Sequence, residues 1–207
     1  MRAFIVALIA GLFVSGAAEA QLFTHEYHGH DAGWLVLSIS SSKDANADPI
    51  TLFYDQTSDG SDHGSLQFSR PDWSDLSFGS ADFHAGDEVG DVVVRSLHPG
   101  TYQLDSFLTR MGGKNFGDTF HIPFTILPGQ TTYLGNFRFV SAHEKGFVGY
   151  LRARDFYFVV RNFARRDIGI ADHKDHPPRG RVSVALPDLM AVNSPLFPLP
   201  DEQANRH

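Results

Sequence analysis

LHPGTYQLDSF (residues 97–107) and FHIPFTILPGQTTYLGNFRF (residues 120–139) decide the fold class. In the second stretch Phe120, Ile122, Phe124 and Ile126 occupy every second position. A period of two places all four on one face of a strand. After the turn, Tyr133, Phe137 and Phe139 keep the same parity, with Gly135 in the remaining place. Two Pro-Gly pairs, Pro99-Gly100 and Pro128-Gly129, each launch a segment with a tyrosine near its start, Tyr102 and Tyr133. Proline presets the backbone of a turn, and glycine takes the positive φ that a tight turn needs. The tyrosine rings are expected to pack inward at the corners, each hydroxyl bonding nearby backbone.

Working outward, the same alternation recurs. Leu35, Leu37 and Ile39 alternate with Val36, Ser38 and Ser40, which predicts a first strand from residue 34. Ile50, Leu52 and Tyr54 predict a second, paired with the first as a hairpin. Residues 92–97 form a strand that turns at Pro99-Gly100 and returns over 101–111. Residues 120–127 and 131–140 form the next hairpin, and 150–161 the last β segment. Pro123 cannot donate to a ladder, so its strand belongs at a sheet edge or a bulge. The fold predicted is all-β: an antiparallel β-sandwich of prealbumin-like or Ig-like type. Residues 57–91, rich in Ser, Asp and Gly around one short strand near 65–69, read as a long loop excursion. A short C-terminal helix is expected over 167–176, closed by Pro177-Pro178. An extended proline-rich tail follows, loosely docked or disordered.

Composition narrows the function classes. The chain has 207 residues, 42% hydrophobic and 13% aromatic, which is enough for a real core. Its formal net charge of -7 argues against nucleic acid or anionic lipid as the main partner. Arg2, an apolar run over residues 4–14 and Ala18-Glu19-Ala20 read as a signal peptide. Cleavage is predicted after Ala20, leaving Gln21 first and the protein periplasmic or secreted. No later stretch is long and apolar enough for a membrane helix. The absence of cysteine removes disulfides, thiolate metal sites and cysteine nucleophiles. The organisation expected is a signal peptide (1–20), a His-rich leader (21–33), a β-sandwich domain (34–162) and a C-terminal extension (163–207).

VRSLHPGTYQL resembles the signature of transthyretin-like, or carboxypeptidase regulatory-like, β-sandwich modules. The matching residues are Leu97, Pro99, Gly100, Tyr102 and Leu104. FTILPGQTTYLGNF is similar to the strand–turn–strand of uncharacterised bacterial envelope proteins built on such a module. The resemblance covers residues 34–162 in architecture and these two phrases in residues. It implies an accessory or binding module with no catalytic residues to carry over. The excursion over 57–91 and the proline-rich tail depart from the family pattern.

One constellation carries candidate chemistry. His25, Glu26, His28, His30 and Asp31 crowd seven residues, and His28 and His30 share a face if extended. They read either as a solvated leader or as ligands for Zn²⁺, Cu²⁺ or Ni²⁺. His173 and His176 are at i, i+3 and could join them if the chain ends meet. Asp55, Asp59 and Asp62 lack calcium-loop spacing, and Gly112-Gly113-Lys114-Asn115 lacks phosphate-loop order. No nucleophile elbow appears. The leading expectation is an exported, non-enzymatic binding or structural module contacting a protein or envelope component, without a cofactor. Its contact surface is placed at residues 57–91 and 112–118. A divalent-metal binder is the alternative, and a hydrolase with an unrecognised site the third.

Overall fold

The computed structural model describes residues 26–42, 45, 47–58, 62–69, 81–141, 156–192 and 194–199. The predicted signal peptide, His25 and residues 142–155 lie outside them. The described chain is mostly strand: β1 (Gly33–Ser42), β2 (Ala47–Gln56), β3 (His63–Phe68), β4 (Phe83–Ala85), β5 (Glu88–Leu97), β6 (Gly100–Met111), β7 (Lys114–Ile126), β8 (Thr131–Ser141), β9 (Phe156–Arg161) and β10 (Val182–Val184). Two helices follow in the C-terminal part, α1 (Ala164–Ala171) and α2 (Leu189–Val192). Among the described residues no helix is long and apolar enough to cross a membrane.

The strands form two sheets. One runs β3-β2-β6-β7; the other runs β10-β8-β1-β5-β4, with β9 also on β8. Inward residues of both sheets share one apolar cluster that includes Leu35, Leu37, Ile39, Leu52, Leu104, Ile122, Phe137 and Phe158. Phe120, Ile122, Phe124 and Ile126 are all buried in it, as their spacing predicts. β7 is an edge strand, so Pro123 sits where a missing N–H is tolerated.

Three expected pairings are overturned. β1 and β2 belong to different sheets, as do β5 and β6, and β7 and β8. The short links between them, including both Pro-Gly corners, cross from one sheet to the other. A glycine hairpin instead joins β6 to β7, where Gly112 and Gly113 have φ of 54° and 79°. A type I′ two-residue turn needs positive φ at both positions, which the two glycines supply, and residues 114–118 continue as strand instead of forming a loop. The sheets are also not antiparallel throughout: β1 and β10 both run parallel to β8.

The parity expected across Gly135 fails as well. β1 and β8 pair Val36 with Tyr133 but Ser38 with Asn136, so β8 carries one extra residue. Gly135 has φ of 117°, a backbone that side chains rarely adopt. This bulge flips the alternation. Leu134, Phe137 and Phe139 point into the shared core, while Tyr133 joins a second cluster with Val36, Val92 and Ala171. Tyr102 behaves as expected of a corner tyrosine, donating its hydroxyl to the His98 carbonyl at 2.8 Å. The same hydroxyl donates to the Asp62 carboxylate at 3.1 Å, so Asp62 is a buried partner of the corner.

The C-terminal part is docked. α1 begins three residues before the predicted helix and ends at Ala171. β10 adds to β8, and Leu196 and Phe197 are buried in the core. These two apolar anchors outweigh the extended tendency of a proline-rich tail.

Candidate functional site

The outer face of the β8-β1-β5 layer holds a buried polar cluster beneath α1. β1 is central and covered on both sides, so Ser38 and Ser40 are fully buried although they alternate with the core residues. A buried hydroxyl must find a partner. The bulge supplies one by turning Asn136 toward them. Its amide donates to Ser38 Oγ at 2.9 Å and Ser40 Oγ at 3.0 Å. Ser40 in turn donates to Glu88 Oε1 at 2.7 Å. Arg161 closes this half, bonding the other oxygen of Glu88 and Asn136 Oδ1, the latter at 2.8 Å.

The other half centres on Asp167, which α1 lowers into the sheet at zero exposure. Ser38 Oγ and the Tyr133 hydroxyl both donate to Asp167 Oδ2, at 2.7 Å and 2.6 Å. Arg166 Nε donates to Oδ1 at 2.7 Å. The Phe163 amide donates to the Tyr133 hydroxyl at 3.2 Å. The Arg166 guanidinium is flanked by two rings, with its carbon 3.7 Å from the Phe83 centroid and 4.5 Å from that of Phe163. Such cation–π contacts strengthen when desolvated. Beside them Asp82 accepts from the Val92 amide and from Lys174, at 2.7 Å and 2.5 Å. The carboxyl of Asp91 is pushed up by burial.

Two carboxylates and two guanidiniums balance in charge. The buried side-chain atoms without a partner among the described residues are Tyr54 Oη, Arg95 Nε, Thr109 Oγ1 and Arg138 Nε, and none belongs to this cluster. The serines donate to carboxylates already held by arginine, so no strong base faces them. The arrangement holds α1 against the sheet. A shallow, open concavity of about 720 Å³ lies beside it, lined by Asn162, Phe163, Ala164, Arg165 and Arg166.

The histidines lie elsewhere. Every described histidine is exposed, including His28, His30, His173 and His176. Among the described residues no group of three or more His, Cys, Asp or Glu is placed to hold a metal ion. His173 Nδ1 is 2.8 Å from the Gly169 carbonyl, a local helix-end contact. The described leader is docked on β5 through Tyr27. Its ring stacks on His98 at 3.5 Å, its amide donates to the Ser96 carbonyl at 2.9 Å, and its hydroxyl donates to Asp31 at 2.6 Å. That hydrogen bond lowers the Asp31 carboxyl and raises the Tyr27 hydroxyl.

Residues 57–58 and residues 112–113 do not share an end. Gln56 pairs with Tyr102 at the start of β6, whereas the glycine hairpin follows Met111 at its far end, opposite Ala47. The 86–87 turn belongs with the hairpin end, since Glu88 pairs with Ser42 just before the link to β2. The residues that matter beneath α1 escaped the sequence reading because period two assigns Ser38 and Ser40 to solvent. One signal was present: the outward positions Val36, Ser38 and Ser40 carry no charge, which is unusual for a wet face.

Two buried tyrosines, Tyr54 of the main core and Tyr133 beneath α1, report on the folded state. Burial is the main cause raising the hydroxyl of Tyr54, and burial followed by the Asp167 hydrogen bond raises that of Tyr133. The unfolded chain loses these protons from about pH 10. The native state keeps them, so it binds more protons and loses stability as pH rises past that value. Below it the contribution is fully present. In a spectrophotometric titration, Tyr54 and Tyr133 are expected to form phenolate only together with unfolding, and Tyr54→Phe to soften the alkaline loss. Reversible titration of all the tyrosines near pH 10 in folded protein would contradict this.

No protein family model matches the chain, and no curated protein matches it. Two solved structures are similar in part. A leucine-rich repeat protein of Bacteroides thetaiotaomicron VPI-5482 aligns at 14% identity over 52% of this chain, with a TM-score of 0.31. A candidate cell adhesion protein of Bacteroides ovatus ATCC 8483 aligns at 8% identity over 64% of this chain, with a TM-score of 0.29. The chain spans 14% and 44% of their respective lengths.

Proposed function

We propose that this chain is an exported, non-enzymatic β-sandwich module of the cell envelope, periplasmic or secreted, that works through surface contacts. The observation that carries the reading is the saturation of the polar cluster beneath α1. Its serines, carboxylates and guanidiniums are spent on one another and on backbone, and its hydroxyls are withdrawn from solvent. The leader pattern around Ala18-Glu19-Ala20 supports export. The corner at Pro99-Gly100 and Tyr102 supports the transthyretin-like, carboxypeptidase regulatory-like assignment. The hairpin end, with residues 86–87 and 112–113, is the proposed contact surface.

The test has two arms. The mature protein is expected to begin at Gln21 in the periplasmic or external fraction, by mass spectrometry of its N-terminus. Purified protein is expected to leave a panel of esters, phosphates and glycosides intact. Turnover that Ser38→Ala abolishes in a folded variant would reject the non-enzymatic reading.

A further inference from the structure

The tail after β10 docks on the body of the protein. Leu189 and Val192 of α2 pack against the core cluster, and Leu196 and Phe197 are buried in it. The Phe197 ring lies 4.9 Å from Phe120 of β7, 6.4 Å from Phe137 of β8 and 5.5 Å from Phe158 of β9. The Phe158 amide donates to the Leu196 carbonyl at 2.6 Å. The tail therefore fills a cleft between β7, the edge of one sheet, and β9, an edge of the other. The inserted piece is a local turn. The Phe197 amide donates to the Ser194 carbonyl at 2.9 Å, with Pro195 in the second position, where proline presets the backbone. The connection lies at the surface: Ala185, Leu186 and Asp188 are exposed, its two ends held by the Ala185 amide on the Tyr133 carbonyl at 2.9 Å and by the Asp188 carbonyl on the Ala191 amide at 3.0 Å.

The geometry points to an exchangeable peptide-binding cleft whose ligand is a Ser-Pro-Leu-Phe turn, filled in cis by residues 194–197 and open in trans to the tail of a second copy. Residues 188–199 are the exchanged unit and 186–187 the hinge. The second copy is the occupant because the ligand is this chain's own sequence. A tail from a neighbour makes the same ring contacts and the same bond to Phe158, so only the hinge and the association cost separate the two states. A turn of four residues also carries its shape locally, which lowers the ordering cost of binding. The inference does not depend on where the protein works.

The probe is a fluorescent synthetic peptide of residues 188–199, tested against full-length chains. A Phe197→Ala chain, with its cleft vacated, is expected to bind it at least tenfold more tightly than the wild type, whose own tail competes. The same peptide with Phe197→Ala should not bind. A second chain carries a protease site at residues 186–187. After cleavage its tail fragment is expected to stay bound and to exchange with the labelled peptide, and the uncut protein at high concentration to yield a two-copy species. Folded Phe197→Ala chain that ignores the peptide overturns the proposal. If that variant fails to fold, the cleaved chain decides, and a fragment that never exchanges while the protein stays folded overturns it equally.

Discussion

Replacing Asp167 with alanine is expected to lower folding stability by about 3–5 kcal/mol, the range for removing one partner of a buried ion pair. Asp167 Oδ2 accepts from Ser38 and Tyr133, and Oδ1 accepts from Arg166. Its loss strands two buried donors and a guanidinium held between Phe83 and Phe163. Each group keeps its desolvation cost and loses its compensation. Ser38→Ala removes one donor to Asp167 and one acceptor for Asn136 but leaves the ion pair, so a smaller loss of about 1–2 kcal/mol is expected. Urea unfolding measures both, and an unchanged slope keeps the comparison clean. A loss for Asp167→Ala no larger than that for Ser38→Ala would mean that α1 is held by its apolar face alone.

Phe158→Ala is expected to cost about 3–5 kcal/mol, as for other buried phenylalanine truncations. The ring is fully buried and sits 5.2 Å from Phe107 of the facing sheet, 5.5 Å from Phe139 of β8 and 5.5 Å from Phe197 of the tail. A cavity there has walls from both sheets and the tail. Such walls collapse poorly, since each is pinned by its own strand ladder. Phe116, half-buried near the hairpin and 6.1 Å from Phe156, is the comparison site. Thermal and urea unfolding of the two alanine variants should differ severalfold. Equal, small losses would show that the aromatic cluster does not join the sheets.

The sequence reading succeeded where side-chain order is a local matter. The burial of residues 120–126 on alternate positions, the edge position of Pro123 and the hydroxyl bond of Tyr102 all follow from short stretches. It failed where the partner strand decides. Residues 120–127 and 131–140 look like a hairpin because a Pro-Gly turn joins them, yet that turn crosses between sheets. Parity carried through Gly135 assigns Tyr133 to the shared core. The bulge is invisible to counting, since glycine permits many backbones and only the pairing with β1 selects one. The tail looked loose because its prolines outnumber its anchors, and the cleft that receives Phe197 exists only once β7 and β9 stand side by side.

Alternation of apolar residues and the placing of turn residues determined by themselves that this chain is β-structured and in which stretches most of its described strands lie. Both properties depend on neighbours in the chain, so residues alone carry them. The tertiary structure decided which strands pair, which way Tyr133 and Asn136 face, and that Ser38, Ser40, Glu88, Arg161, Arg166 and Asp167 meet beneath a helix. Those residues come from positions far apart in sequence, and burial turns ordinary polar side chains into an interlocked group. No spacing rule encodes that meeting, because the cost of burying a polar atom is set by what surrounds it after folding.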